Sequence, residues 1–254
     1  MITKKFSTVF YYCLGLLALY AVWKGGSFLY NKEIILPHPE LVLQEFIQLT
    51  SSSLFYKIIA GTVFRGLYAF SVAMIIGIAV GIASFVFPKF SIMIHPVMTL
   101  IRATPVVAII LLALIWFPSS FVPVFSAILM SFPVISTGIQ TGFASIDKQL
   151  VEMTQVYHFL QADKIRYLYV PALKPHLIAA MHNTLGLTWK VIIAGEILSQ
   201  PAFAIGTEMN NARLMLETPE VFAWVFCGIL LCALSDAVFF IVFRKFKWNL
   251  QSRI

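Results

Sequence analysis

The sequence predicts an all-α polytopic membrane protein with about six transmembrane helices, and three observations support this fold class. The chain has 254 residues, of which 60% are hydrophobic and only 11% are charged, whereas a soluble domain carries about 25% charged residues. Six stretches stay apolar over the roughly 20 residues that a helix needs to cross a bilayer. Lys and Arg residues, finally, concentrate on one side of those stretches.

The six predicted spans make a single transmembrane domain over residues 1–254. The first span follows Lys4 and Lys5, and because no small-x-small cleavage site comes after it, we interpret it as an uncleaved span. The fourth is the weakest, since it contains Pro123 and Pro133, but neighbouring helices can satisfy the backbone groups that proline frees. The predicted spans are about 7–29, 58–87, 92–117, 120–143, 174–199 and 220–243.

The distribution of basic residues predicts that the N- and C-termini are cytoplasmic. With the N-terminus inside, eleven of the 18 Lys and Arg residues fall in cytoplasmic segments and four in outside segments. An excess of basic residues inside is the usual pattern, so the net charge of +7 is a topology signal and does not indicate nucleic-acid binding. Segment 144–173 becomes the only long cytoplasmic loop. Outside lie 200–219 and 30–57, the latter with a short amphipathic helix.

The cytoplasmic loop predicts two short helices joined by a turn. Its first part carries an apolar stripe at helical spacing, and a second helix can begin at Asp163 as its N-cap. Pro171 lacks a backbone N–H and is suited to end that second helix before the fifth span. The residues leave two interpretations open: a loop resting on the bilayer, or a docking surface for a cytoplasmic partner. The stripe comprises Leu150, Met153, Tyr157 and Leu160.

Four stretches follow one another in a characteristic order: LPHPELV (36–42), HPVMTLIRATPVVAIILLALIWF (95–117), SFPVISTGIQTG (131–142) and LGLTWKVIIAGEIL (185–198). Together they resemble type I ABC importer permeases of the nitrate/sulfonate/taurine branch. In the loop, Glu152 and Pro171 have the spacing of the EAA motif of these permeases. The resemblance covers about residues 34–250 and implies their fold, with 144–173 as the loop that couples to an ATPase.

The loop departs from the EAA pattern at its turn. Met153 and Thr154 stand in place of the two alanines, and His158 stands in place of a glycine, which reaches positive φ at little cost. Leu160 replaces the residue that often caps the second helix, which leaves Asp163 as the candidate cap. These departures predict either a shifted turn or a longer first helix.

The resemblance also implies a function in the bacterial inner membrane. Two permease copies, expected as a homodimer, would form one pathway fed by an extracytoplasmic substrate-binding protein, and each loop would dock a cytoplasmic ABC ATPase. The sequence has no GxxxxGK[ST] phosphate loop, so we expect a non-catalytic chain that binds no cofactor and leaves ATP and Mg²⁺ to the ATPase. The implied cargo is a small solute, either an anion or a vitamin precursor. The expected coupling residues are Glu152, Tyr157, His158, Phe159, Leu160, Asp163 and Pro171.

Polar residues inside the spans suggest a pathway, because ionisable groups in a membrane face a cavity or a partner. Arg65 and Arg102 match family positions, and structural pairing is the favoured role for both. In the fifth span, two neighbouring polar faces suggest a water-accessible path on which Lys190 contacts an anionic group of the substrate. Pairing of Lys190 with Glu196 of another helix or with Asp236 is a slightly favoured alternative. The candidate pathway residues are Arg102, Asn183, Trp189, Lys190 and Glu196.

Two other classes of protein compete with the importer permease. A secondary carrier or channel would need coupling-ion carboxylates at mid-span or internal repeats, and Glu196 and Asp236 alone support it weakly. An intramembrane enzyme would need a paired acid and base or a metal motif, and the sequence offers neither. The three cysteines lie within apolar runs without metal-ligand spacing, so we expect them to pack in the bilayer.

Overall fold

The computed structural model describes residues 2–30 and 32–251, with side chains described within 10–243 except at 12 and 31. Every regular element in these residues is helical. Five helices are long and apolar enough to cross a membrane, six if a bent pair counts as one span. These five are α1 (Ile2–Tyr30), α3 (Ser53–Val86), α6 (Val122–Ala144), α9 (Val170–Ser199) and α11 (Thr218–Gln251). The all-α fold with about six membrane helices is therefore confirmed.

The predicted third span is not one straight helix. It divides into α4 (Pro88–Ala103) and α5 (Val106–Trp116), whose axes differ by 102°. Thr104 is extended, with φ −75° and ψ 127°, because the ring of Pro105 disfavours helical backbone in the residue before it. The expectation of a continuous helix over 92–117 is wrong for this physical reason.

The core forms where α3, α6 and α9 pack against one another, and small residues allow the close approach. A Cβ placed on Gly77 of α3 would lie 2.7 Å from Cβ of Ile135 on α6, a separation that real atoms do not tolerate. Gly66 of α3 lies against the indole of Trp189 on α9. The contact between Gly66 and Trp189 fixes how α9 is rotated about its own axis, and so decides which of its faces is buried.

The shorter helices lie at the ends of the long ones. α2 (Pro39–Thr50) matches the amphipathic helix expected before the second span, and it turns Val42 into the protein. The remaining elements are α7 (Lys148–Val156), α8 (Gln161–Lys164) and α10 (Ile205–Leu214). The loop thus contains two short helices, as predicted.

The second loop helix does not end at Pro171. α8 runs through a π-helical turn at Ile165–Tyr169 directly into α9, so helical backbone continues over Gln161–Ser199. The N–H of Val170 bonds to the carbonyl of Ile165, which widens the turn. Pro171 then occupies the first turn of α9, where a missing N–H costs little. The prediction that Pro171 terminates a helix is wrong.

Candidate functional site

The turn after α7 is a Schellman motif with histidine at its left-handed position. Asp147 caps the start of α7 by accepting a hydrogen bond from the N–H of Gln149 at 2.9 Å. At the other end, the N–H of Phe159 bonds to the carbonyl of Thr154 at 3.0 Å, and His158 has φ 52°. This hydrogen-bond pattern is the one that glycine usually completes. The expected shift of the turn or lengthening of the helix is therefore not found.

Leu160, rather than Asp163, occupies the N-cap position of α8. Leu160 has the extended backbone of a cap but provides no side-chain hydrogen bond. Asp163 lies in the first turn of the helix, where a carboxylate is favoured by the helix dipole. The prediction that Asp163 caps the helix is wrong, because α8 begins one turn earlier than the polar residue suggested.

The tip of the loop exposes apolar side chains. Tyr157 and Leu160 are each 71% exposed, and Phe159 is also exposed. Glu152 is exposed on α7 and has no ion pair among the described side chains. Only Thr154 of α7 is buried. A segment rich in charge that nevertheless presents apolar groups to its surroundings has the character of a binding surface.

An aromatic cluster anchors the loop to the membrane helices. Tyr169, in the π turn, contacts the rings of Phe85 on α3 and Phe143 on α6, each with a centroid distance of 5.8 Å. Phe85 and Phe143 are themselves stacked at 3.8 Å. Movement of the loop would therefore be transmitted to α3 and α6 as well as along α9.

Glu196 is a buried structural residue, and its assignment to the pathway is corrected. Its carboxylate has no exposed surface and accepts hydrogen bonds from Nε of Arg65 at 2.9 Å and from Oγ1 of Thr62 at 3.1 Å. It also accepts from the N–H of Gly206 at 3.1 Å, while Oγ1 of Thr62 accepts from the N–H of Ile205 at 3.0 Å. Side chains of α3 and α9 thus cap the N-terminus of α10, which has no cap of its own.

Arg65 extends this buried network to the segment between α9 and α10. Its Nη2 donates to the carbonyl of Phe203 at 2.7 Å, so one guanidinium joins α3, α9 and the segment that leads into α10. The structural role predicted for Arg65 agrees with this geometry. Thr62 was not predicted, and the sequence carries no signal for it, since a threonine in an apolar helix commonly bonds to its own backbone.

Trp189 also belongs to the packed interior. It is 2% exposed and lies against Gly66. It therefore does not line a path in this structure, and its assignment to the pathway is corrected together with that of Glu196. Of the two neighbouring faces predicted on the fifth span, the one that carries Trp189 and Glu196 packs against α3.

The neighbouring face of α9 borders an open cavity of about 280 Å³. Asn183 and Lys190 are both exposed there. Nε2 of His182 lies 3.5 Å from Oδ1 of Asp236 on α11. The structure thus brings two of the predicted pathway residues together with a carboxylate from another helix. The cavity is lined by His182, Asn183, Gly186, Leu187, Lys190 and Asp236.

Arg102 lies in a separate polar cavity of about 130 Å³ between α4 and α6. It donates to the carbonyl of Pro133 at 3.0 Å and to Oγ1 of Thr137. These bonds tie the end of α4 to α6 just before the bend. His95 and Gln140 lie on the same cavity, so Arg102 combines a structural contact with a position on a polar cavity.

Comparison with known proteins identifies the class. The family model described as "Binding-protein-dependent transport system inner membrane component" matches residues 46–248, and the chain belongs to this family. It is 23% identical over 234 residues to the putative aliphatic sulfonates transport permease protein of Bacillus subtilis (strain 168), covering 90% of this chain and 84% of that protein. It is 27% identical over 232 residues to the Escherichia coli (strain K12) protein of the same description, covering 90% and 88%.

Solved structures agree on the fold. A chain from "Crystal structure of an amino acid ABC transporter with histidines" is similar with a TM-score of 0.59 and 15% identity, covering 82% of this chain and 98% of that one. The family model and the relatives, rather than these structures, define the role: the protein is a multi-pass membrane permease of a bacterial ABC importer, the membrane component and not the chain that hydrolyses ATP. Family membership sets aside the secondary carrier, the channel and the intramembrane enzyme.

Proposed function

We propose that this permease docks a separate cytoplasmic ABC ATPase through residues 151–171 and forms the substrate pathway with a second copy of itself. The observation that carries the docking role is the exposed apolar tip at Tyr157, Phe159 and Leu160. The tip begins a run of helical backbone over Gln161–Ser199, which is about 58 Å long at 1.5 Å per residue. One end of that run meets the ATPase, and the other reaches the buried Glu196 network.

This connection explains how ATP hydrolysis in the partner can act on the pathway. Closure of the ATPases displaces the tip, and the displacement passes along α9 to the cavity at Asn183 and Lys190. The aromatic contacts of Tyr169 carry the same movement to α3 and α6. ATP and Mg²⁺ are used by the ATPase, while Glu152 and Asp163 supply charge to the docking surface.

The charge on the cavity wall and the described substrates of two relatives support one class of cargo. The two relatives named above are described as transporting aliphatic sulfonates, and Lys190 gives this chain a cation on the cavity wall. A small organic anion delivered by an extracytoplasmic binding protein fits both observations. Arg102, Asn183 and Lys190 are the pathway residues under this proposal, and the inner membrane, with both termini cytoplasmic, is its location.

Co-purification with the cognate ABC ATPase tests the docking role. Replacing Tyr157 or Leu160 with Ser removes apolar surface from the tip and should release the ATPase, lowering its recovery by about tenfold or more, because interface centres carry most of the binding energy. Phe87→Ser is the matched control, since Phe87 is 62% exposed but lies at the junction of α3 and α4. If the tip variants retain the ATPase as well as Phe87→Ser does, the loop is a bilayer-surface segment.

A further inference from the structure

The turn that joins α10 to α11 carries three exposed apolar side chains in succession. Leu214 is 63% exposed, Met215 is 74% exposed and Leu216 is 66% exposed. Single apolar residues on a surface are ordinary, whereas a contiguous group of them marks a surface that binds another molecule. The turn is far along the chain from the loop that carries Tyr157 and Leu160, so it needs a partner of its own.

Leu216 occupies a backbone position that suits glycine. The N–H of Glu217 bonds to the carbonyl of Ala212 at 3.0 Å, and the N–H of Leu216 bonds to the carbonyl of Arg213 at 3.2 Å. With φ 62°, Leu216 is the left-handed residue of a Schellman motif that ends α10. A bulky residue with positive φ is strained, and this one is not compensated by burial. Local rules fail in this way where a residue serves a function.

The segment between α1 and α2 adds two apolar side chains to the same surface. Oγ1 of Thr218 donates to the carbonyl of Ile34 at 2.8 Å, which holds this segment against the start of α11. Ile34 is 64% exposed and Ile35 is 56% exposed, and both border an open groove of about 580 Å³. We call the combined surface the outer patch; it comprises Ile34, Ile35, Leu214, Met215 and Leu216.

Charged neighbours place the outer patch in water rather than in the hydrocarbon of the bilayer. Four exposed charged residues flank it: Lys32, Glu33, Arg213 and Glu217. Ionisable groups are costly in lipid, so this surface is immersed in water. Two of the four are basic and two are acidic, so the patch attracts a partner through its apolar groups rather than through a net charge.

The outer patch is fixed to the membrane helices. Oε2 of Glu196 and Oγ1 of Thr62 accept hydrogen bonds from the first backbone N–H groups of α10. Gly206 lies so close to α9 that an added Cβ would be 2.6 Å from the carbonyl oxygen of Ile193. A surface that is already ordered loses little entropy when a partner binds. The patch therefore has the rigidity of a preformed docking surface.

We propose that the outer patch is the surface on which the extracytoplasmic binding protein docks, and that apolar contacts rather than ion pairs hold it there. The distribution of Lys and Arg predicts that the patch lies outside, and the family is described as binding-protein-dependent. The groove beside Ile34 and Ile35 accepts side chains that project from the partner. This inference rests on the proposed function, because it requires an importer whose two termini are cytoplasmic.

Biolayer interferometry with the purified cognate binding protein tests the proposal on the permease–ATPase complex in nanodiscs. Met215→Ser removes apolar surface from the patch and should weaken binding by about tenfold or more, because a few central residues carry most of the binding energy of an interface. Ile47→Ser is the matched control, since Ile47 is 56% exposed but lies on α2. Raising NaCl from about 50 to about 500 mM should leave the Kd nearly unchanged, because salt screens charges and not apolar contacts.

Leu216→Gly separates a docking role from a structural one. Glycine relieves the left-handed strain, so the Tm of the complex should stay the same or rise. Loss of the apolar side chain should nevertheless weaken the binding protein by about tenfold. A residue that only ends α10 would give unchanged docking in this variant. Retention of the ATPase in the same preparations monitors the proposed function independently of the binding protein.

A fluorescent label distinguishes other occupants of the outer patch. Bimane attached to Met215→Cys, in a variant whose three native cysteines are Ala, should emit as in water and shift to the blue when the binding protein is added. Blue emission before the addition would place the turn in lipid. Loss of the permease dimer in Met215→Ser would place it between two copies of the chain.

Either of those two results would overturn the proposal. An unchanged Kd in both Met215→Ser and Leu216→Gly would do so as well, as would an equal loss of binding in Ile47→Ser. A Kd that rises steeply with salt would show that ion pairs, and not apolar contacts, hold the binding protein.

Discussion

His158 is held in a backbone conformation that strains its side chain. A left-handed residue other than Gly, Asn or Asp costs about 1 kcal/mol, yet the two hydrogen bonds that close the turn keep His158 at φ 52°. The bonds therefore compensate for the strain, and the histidine is retained where glycine would be easier to accommodate. Its exposed imidazole, next to Tyr157 and Phe159, is available to a docked partner.

Replacing His158 with Gly should raise the stability of the purified permease. Relief of the left-handed strain, worth about 1–2 kcal/mol, should exceed the extra backbone entropy that glycine loses on folding, about 0.5–1 kcal/mol, and should be visible as a higher Tm in detergent. Gln155→Gly is the matched control, because it puts glycine inside α7 and should lower Tm through the reduced helix propensity. An unchanged or lower Tm for His158→Gly would show that the imidazole makes stabilising contacts of its own.

Replacing Glu196 with Ala should destabilise the protein severely. The change leaves the Arg65 guanidinium without its carboxylate and the N–H of Gly206 without an acceptor, and breaking a buried ion pair costs about 3–5 kcal/mol. Glu196→Gln, which keeps an oxygen acceptor, should lose less. Thermal unfolding checks both variants against Glu208→Ala, a partly exposed acidic residue on α10. Equal Tm values for Glu196→Ala and Glu208→Ala would contradict the structural role.

The sequence alone could not show that Glu196 is buried while Lys190 is exposed. Both are ionisable residues in one apolar helix, and helical periodicity shows only that they occupy neighbouring faces. Which face is buried depends on Thr62, Arg65 and Gly66 of α3, more than 120 residues earlier in the chain. Those contacts belong to the tertiary structure, so the sequence predicted only one part of the buried network, the pairing of Arg65.

At the scale of elements, α7, α8 and the π turn form one segment that contacts the rest of the protein at two points. Thr154 is the buried residue of α7, and Tyr169 lies against Phe85 and Phe143. The exposed tip lies between them, in the turn that joins α7 to α8. A force applied at Leu160 therefore reaches the membrane helices through the Tyr169 contacts and through the backbone of α9.

Tyr169→Ala should uncouple ATP hydrolysis from transport. Removing the ring deletes its contacts with Phe85 and Phe143, each aromatic pair being worth about 0.5–1.5 kcal/mol beyond its buried area, while the docking tip is left intact. We expect normal recovery of the ATPase but less solute transported per ATP hydrolysed in proteoliposomes. Tyr169→Phe retains the ring and should behave as the unmodified protein. A normal transport ratio for Tyr169→Ala would exclude the aromatic contacts from coupling.

The two prolines at helix junctions show the limits of prediction at this scale. Each removes an N–H and disfavours helical backbone before it, yet a break was expected only at Pro171, while the third span was expected to run unbroken through Pro105. Pro105 does accompany a bend of 102°, whereas Pro171 follows a π turn that accommodates it within continuous helix. The length of the apolar stretches located the long helices well. Whether a proline breaks a helix depends on the residues packed around it, and hydrophobic periodicity does not show those contacts.

At the scale of the whole molecule, the outer helices leave a large apolar surface. Only 6% of the apolar stretch of α1 and 11% of that of α11 are buried within this chain. In the proposed assembly, lipid and a second permease copy cover these surfaces. The basic residues further predict that the tip of the loop faces the cytoplasm.

Cysteine labelling tests that orientation. In a variant whose three native cysteines are replaced by Ala, Gln161→Cys on α8 should react with a membrane-impermeant maleimide only in inside-out vesicles. Lys32→Cys, before α2, should react only in right-side-out vesicles. The reverse pattern would place the loop outside and make docking of a cytoplasmic ATPase impossible.

Reconstitution tests the central claim most directly. The permease would be placed in liposomes with its cognate ATPase and binding protein, and uptake of radiolabelled solute retained by that binding protein would be measured. The account predicts accumulation that requires ATP and both partners, and that falls to background with Tyr157→Ser/Leu160→Ser in the tip. Uptake by the permease alone, driven by an ion gradient and indifferent to ATP, would contradict it.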